Sequence, residues 1–302
     1  MNGTVYTAWL YFGRSAIKWG CRRLIIMMAL FMSSCVTPPP RGPSPAPSPS
    51  PAQMPSPEPV SKAGDRFTFT IVYDNNEYGP GLETEWGFSC VIEGLEKTIL
   101  FDTGGDHATL LSNMRKLKID PGKIDVIVLS HIHGDHVGGL SGFLEENSDV
   151  TVYLPHSFPV SFKSMVREMG AEVDEISEAQ QLFADAFTTG ELDGGIKEQS
   201  LIVATSRGPV IVTGCAHPGV VNIVRKARNI VAEDTVYLVM GGFHMAGAPA
   251  SRIESVINGF RQLSVRKVAP CHCSGDETRR LFREEYGENY INSGVGKSIA
   301  IP

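Results

Sequence analysis

The sequence predicts a layered α/β domain over residues 64–302, two β-sheets with helices outside them, on three observations. Short β-branched and aromatic runs recur along this stretch, amphipathic segments of helical period lie between them, and no self-similar repeat competes with that pattern. In chain order, RFTFTIVYDN alternates as a half-buried strand does, GFSCVIEGLEKTILFDTGG reads as two strands around a glycine-containing turn, and KIDVIVLS is a buried strand. HATLLSNMRKLK supplies the first helix, and GGLSGFLEEN, SFKSMVREMG, VVNIVRKARNI and ASRIESVINGFRQLS supply more. The strands VTVYLP, QSLIVATS, GPVIVTGC, TVYLVMGG and RKVAPCHC fall between them. Near the end, GDETRRLFREEYGENY has the charge of a solvated helix face.

The first 63 residues read differently. Lys18, Arg22 and Arg23 precede LIIMMALFMSSC, whose apolar run of about 9 to 11 residues has the size of a signal-peptide core and is too short to span a bilayer. It stops at Cys35 after Ser33 and Ser34, which resembles the lipobox of bacterial lipoproteins. Residues 1–35 are therefore expected to be a signal peptide that leaves Cys35 lipidated; a conventional cleavage nearby or an uncleaved anchor are the alternatives. Residues 36–63 are proline-rich, TPPPRGPSPAPSPSPAQMPSPEPV, and favour extended polyproline II at about 3.1 Å per residue, a semi-rigid tether. The expected localisation is exported, either a membrane-anchored lipoprotein or periplasmic.

A net charge of −6 and a pI near 5.8 give no basic field for a phosphate backbone, so nucleic acid is not an expected partner. The expected ligand is a small molecule.

Chemistry concentrates in VIVLSHIHGDHVGG, where three of the chain's eight histidines fall within residues 131–136. His131 and His133 are one residue apart, so in an extended segment leaving a strand they project to the same side and can face one ion. Asp135 and His136 follow at once as a second pair. His217 in VIVTGCAHPG, His244 in YLVMGGFHM and His272 in KVAPCHCSG each end an apolar strand run beside Gly or Pro. Any one of these alone reads as an ordinary surface or core histidine; strand ends that share a sheet edge with the 131–136 cluster read as metal ligands.

These motifs resemble the metallo-β-lactamase-fold superfamily through HIHGDH and FDTGG. The likeness extends to a branch of metal-dependent hydrolases related to the archaeal dihydropterin ribofuranosyl-aminobenzene phosphate synthase, through TEWGFSC, ILFDTGGD, GCAHPG, GGFH and CHCSG. The resemblance implies a four-layer αββα sandwich with a metal site along one edge. By position, His131, His133 and His217 would hold a first metal, and Asp135, His136 and His272 a second, with one or two Zn²⁺ ions expected and another divalent metal as the alternative. Asp102 would accept a hydrogen bond from a ligating histidine. The superfamily's bridging aspartate has no counterpart, because the comparable segment reads Gly241-Gly242-Phe243-His244; His244 becomes a substitute ligand or a substrate contact.

Such a centre implies hydrolysis by a metal-activated water, on a phosphoester or a lactone-type ring, with Asp135 orienting the water or passing a proton to the leaving group. A binding or sensing module without turnover is the alternative. Cys215, Cys271 and Cys273 read first as small buried residues, Cys271 and Cys273 pointing away from His272, with an auxiliary metal role open for Cys215. Disulfides among these and Cys90 stay open too. Glu83, Glu85 and Trp86 are either near the site mouth or part of an ordinary hairpin with a packed tryptophan. GVGK at 294–297 lacks the spacing of a phosphate loop.

Overall fold

The computed structural model describes residues 67–302; the expected signal peptide, Cys35 and the proline-rich tether lie outside the described residues. Among the described residues, no helix is long and apolar enough to cross a membrane.

Two mixed sheets form the frame. Across the seven-stranded sheet the order is Ser298–Ile301, Phe67–Asp74, Phe88–Glu93, Ile99–Phe101, Val126–Val128, Thr151–Pro155 and Glu172–Ile176. The six-stranded sheet runs Val265–Cys271, Val236–Gly242, Val210–Thr213, Leu201–Val203, Ala186–Thr188 and Gln180–Phe183. In the first sheet the strands from Ile99–Phe101 to Glu172–Ile176 are parallel; in the second, Val210–Thr213, Val236–Gly242 and Val265–Cys271 are. In such sheets ligands bind beyond the carboxyl ends of parallel strands, because the loops there are free to vary while the strands fix their starting points.

One apolar layer lies between the sheets, with Phe69, Phe101 and Val128 meeting Val212, Met240 and Ala269. Helices His107–Lys116, Leu140–Glu146 and Val160–Glu168 cover the outer face of the first sheet, and Val220–Val231, Ala250–Gln262 and Asp276–Tyr286 that of the second. The helix Val220–Val231 shows why: Val220, Ile223, Val224, Ala227 and Ile230 recur at three- and four-residue steps and make one buried stripe. His107–Lys116 starts where the Asp106 carboxylate accepts the Thr109 N–H at 2.9 Å and ends on Arg115 and Lys116, charges that suit its dipole. The structure therefore has the expected layering of sheets and helices.

Several elements go beyond the predicted ones. Glu172–Ile176 is an edge strand whose sequence EVDEI puts charge on its exposed positions, and Leu192–Asp193 with Lys197–Glu198 is a minimal hairpin. Ser298–Ile301 closes the other edge by pairing antiparallel with Phe67–Asp74.

The sheets are also stitched together beside the parallel strand ends. The buried Gln199 amide donates to the Leu129 and Tyr153 carbonyls at 2.9 and 3.3 Å and accepts from Thr188 Oγ1 at 2.6 Å, while its backbone N–H donates to Ser130 O. A Cβ at Gly214 would collide with the Ser130 hydroxyl, so the two strand ends approach this closely only because residue 214 has no side chain.

Candidate metal centre

At this stitched edge, six loops deliver their side chains to one place. Asp102 follows Ile99–Phe101, His131 to His136 follow Val126–Val128, and Cys215 with His217 follow Val210–Thr213. His244 follows Val236–Gly242, His272 follows Val265–Cys271, and Asn75 follows Phe67–Asp74. The chain turns sharply into these positions: Asp102, Ala216, His244 and His272 have φ of 55°, 63°, 51° and 47°, half of the eight non-glycine residues in the left-handed region among the described residues. Strained backbone concentrates where side chains must be aimed rather than where the chain merely reverses.

The structure brings the sequence-predicted residues into two sets. His131, His133 and His217 form one, and Asp135, His136 and His272 form the other together with Cys215; within each set the donor atoms lie within 4.8 Å of one another. In the first set His131 Nε2 is 3.1 Å from His133 Nδ1, and His217 Nε2 is buried without a hydrogen-bond partner. In the second, Asp135 Oδ2 is 3.6 Å from His136 Nε2 and 3.3 Å from His272 Nε2. Tetrahedral donors bound about 2.0–2.3 Å from one ion sit about 3.3–3.7 Å from each other, so these sets have close to the spacing a cation imposes.

The outward nitrogens of the rings decide which nitrogen faces inward. His136 Nδ1 contacts Asp102 Oδ2 at 2.7 Å, His131 Nδ1 contacts Ser130 Oγ at 2.9 Å, and His272 Nδ1 contacts Asn75 Oδ1 at 3.0 Å. With these acceptors on the far side, Nε2 of each ring turns a lone pair to the centre. Asp102, fully buried, does more than hold His136: its carboxylate also accepts from Ser130 N–H at 2.6 Å and Ser130 Oγ at 2.7 Å. It thereby positions both sets. An orphaned buried nitrogen, converging lone pairs and outer acceptors fit a resident divalent cation.

The titration of these groups agrees. Burial, reinforced by His136, His217 and His133, holds His131 far below the ordinary histidine range, and burial with His244 and His133 pushes His217 down to about 4. Both rings are neutral, the form that ligates. Burial works against charge on His136, but Asp102 outweighs it and raises the pKa. Burial likewise opposes the Asp135 carboxylate, and His272 with His136 overcomes it, keeping that group well below the usual carboxylate range.

His244 joins neither set. Its ring centroid is 4.4 Å from that of His217, and its donor atom groups with Cys215 and Cys273 instead. A hydrogen bond with Cys273 raises its pKa, and the hydrogen bonds that Cys273 makes with Cys215 and His244 favour the Cys273 thiolate against the penalty of burial.

The expected outward orientation of Cys273 is corrected: His272–Ser274 is a tight 3₁₀ turn rather than an extended segment, and it rotates Cys273 toward Cys215 and His244. Cys271 does point away, into the layer between the sheets. All four cysteines of the described residues are free and buried. The tryptophan expected to be either packed or at the mouth is at the mouth, 54% exposed with its ring 4.8 Å from His272, whereas Glu83 turns away to Ser112 and Lys116.

Three supporting residues had no signal in the sequence reading. Buried Glu198 accepts the N–H groups of Cys215, Ala216 and His217 at 3.0, 2.8 and 2.8 Å and so fixes the loop carrying two donors. Burial pushes its pKa up to about 7 against the pull of those donors. Asp74 accepts the His272 N–H at 3.2 Å, and Asn75 orients the ring. The polar Asp-Asn pair that ends the first apolar strand was the available clue.

Comparison with known proteins leads to the same place. Residues 87–227 match the metallo-beta-lactamase superfamily. The 7,8-dihydropterin-6-methyl-4-(beta-D-ribofuranosyl)-aminobenzene-5'-phosphate synthase of Methanocaldococcus jannaschii is 31% identical over 288 residues, covering 80% of this chain and 98% of its own. A crystal structure of a metal-dependent hydrolase of the beta-lactamase superfamily aligns with a TM-score of 0.66 at 25% identity, covering 77% of this chain and 98% of that one. Human tRNase Z, short form, shares the fold with a TM-score of 0.55 at 15% identity, over 78% of this chain and 99% of that one. On this likeness and this architecture, the chain belongs to the metallo-β-lactamase superfamily.

Proposed function

We propose that the domain is a zinc-dependent hydrolase of a small molecule bearing a phosphoester, with lactone-type rings as the second substrate class. The observation that carries this is the pair of donor sets with near-tetrahedral spacing at an open sheet edge. Nitrogen, oxygen and sulfur donors together suit Zn²⁺ better than harder ions. A bound ion supplies a water of pKa about 7 and polarises the substrate oxygen.

The chain's own residues supply the rest. Asp135, 21% exposed, presents its carboxylate between His136 and His272 and is placed to orient a water or hand a proton to a leaving group. A recess of about 130 Å³ runs from His217 and His244 to Asn222 and the exposed Arg252, where a guanidinium would meet a phosphate. Trp86 offers an apolar face at the other side of the centre. The Methanocaldococcus relative is a synthase named for a product that carries a phosphate, which supports a phosphate-bearing ligand here.

Elemental analysis of the purified protein, followed by turnover of phosphomonoesters, phosphodiesters and lactones with and without chelator, tests this reading. Metal-dependent phosphoester cleavage is the expected result, and full activity in metal-free protein overturns it. The Gly242 position, which lacks the superfamily's carboxylate, favours one second reading: a metal-dependent binding or sensing module. Bound metal with no turnover on any of the three substrate classes would select it.

We further infer that residues 1–35 export the chain and that Cys35 anchors it through the 36–63 tether, from the sequence pattern alone. Release of Cys35→Ala from the membrane fraction is the expected outcome.

A further inference from the structure

We propose that Cys215 Sγ is a ligand of the second metal subsite, a thiolate standing in for the carboxylate that the Gly241-Gly242 turn lacks. This rests on the metal-centre reading above and adds a donor of a different element.

The sulfur is 3.2 Å from His136 Nε2 and 3.5 Å from His272 Nε2, which places it at the remaining corner of the set formed with Asp135. Both rings have Nδ1 committed elsewhere, His136 to Asp102 and His272 to Asn75, so two imidazole lone pairs and the Asp135 carboxylate face one sulfur. A thiol has a single proton and satisfies one acceptor at most. Three donors and a sulfur converge on one point, all but Asp135 buried, at close to the spacing that one cation imposes.

The space at residue 242 gives an independent argument. A Cβ built on Gly242 would lie 2.6 Å from Cys273 Sγ and 3.3 Å from the Cys215 Cα, and would overlap the Gly214 carbonyl. An aspartate Cβ does not fit this turn as it stands, because the Gly214 carbonyl and the Cys273 sulfur are in its way. The turn therefore brings no carboxylate to the second set from this side, and Cys215 Sγ is the donor at the corner that remains. Glu198 holds the Cys215 backbone by its N–H at 3.0 Å, and Cys215 is 3% exposed, so the sulfur is fixed and shielded as a ligand requires. Cys215 Sγ also lies within 4.8 Å of a His244 ring nitrogen and Cys273 Sγ, and the Cys273→Ser variant below separates that group from the second set.

The test is Co²⁺ loading of the full-length protein, read by metal stoichiometry and by the near-ultraviolet thiolate-to-cobalt charge-transfer band. Wild type is expected to take about two equivalents and show the band. Cys215→Ser should lose the band and the second equivalent while keeping the first, and Cys215→Asp should regain the second equivalent without the band. Cys273→Ser should keep both. Two equivalents without a band in wild type, or a band that survives Cys215→Ser, overturns the proposal and leaves the metal centre standing. Absence of any bound cobalt overturns both.

Discussion

The two halves of the centre are held in different ways. Each takes two donors from residues 131–136 on the first sheet and the rest from the second, His217 in one and His272 with Cys215 in the other. In the first, His131 and His133 stand 3.1 Å apart and the His217 Nε2 has no hydrogen-bond partner. In the second, both rings have Nδ1 fixed from behind, His136 by Asp102 and His272 by Asn75. The second half therefore depends the more on its outer hydrogen bonds.

Asp102 is the residue that erases this distinction, since it supports Ser130 and His136 together. Asp102→Ala is expected to empty both subsites and to cost about 3–5 kcal/mol, the range for removing one partner from a buried charged pair. Metal analysis with urea unfolding checks this, and retention of one full equivalent would mean that the first half stands without it.

The next largest effect separates the halves. Asn75→Ala should weaken the second subsite by about 10–100-fold and leave the first unchanged, whereas His131→Ala should do the reverse with a larger loss. Competitive metal titration reads both; equal weakening of the two subsites by Asn75→Ala would show that they are one unit.

A smaller effect concerns acid. In metal-free protein the folded pKa of His217 is about 4 against 6.5 unfolded, and His131 is depressed as well. At these two rings the unfolded chain binds more protons below about pH 6.5, so their contribution is complete above that value and is lost as the pH drops toward 4. Glu198 runs the other way: its carboxyl, raised to about 7, takes a proton first in the folded state and adds stability as the pH falls from 7. Chemical denaturation of Glu198→Gln at pH 7 and pH 5 isolates the histidines; a lower midpoint at pH 5 is expected, and equal midpoints would place the imidazoles in water rather than against each other.

The smallest effect lies at the mouth. Trp86→Ala should raise KM a few fold, about 1 kcal/mol of lost contact, with kcat unchanged, because an exposed ring binds ground state and transition state alike. A fall in kcat would place Trp86 closer to the chemistry.

Much of this was legible in the sequence where local pattern and tertiary role coincide. HIHGDH is metal-like because its residues are neighbours both along the chain and in space, and His217 and His272 are legible because apolar runs ending in Gly or Pro mark strand ends. Asp102 was legible through its FDTGG turn. The fold's layering followed from periodicity, but Glu172–Ile176 and Ser298–Ile301 did not, since edge strands alternate charge with apolar residues and owe their pairing to the sheet they join. Glu198 and Asn75 were illegible for another reason. They act on backbone or on the far side of a ring, and nothing near them in sequence announces a metal. Cys273 was misoriented because strand alternation was carried one residue too far, past the point where His272 enters the left-handed region at φ 47°.

The stitch made by Gln199 and the bare backbone of Gly214 has an outcome for biosynthesis. Donors reach each subsite from both sheets, so neither exists until the sheets have closed on each other. On the metal-centre reading proposed above, metal selection would be a matter of geography, set by the ion pool met at the moment of closure. On the export proposed above, that pool would be the one beyond the membrane.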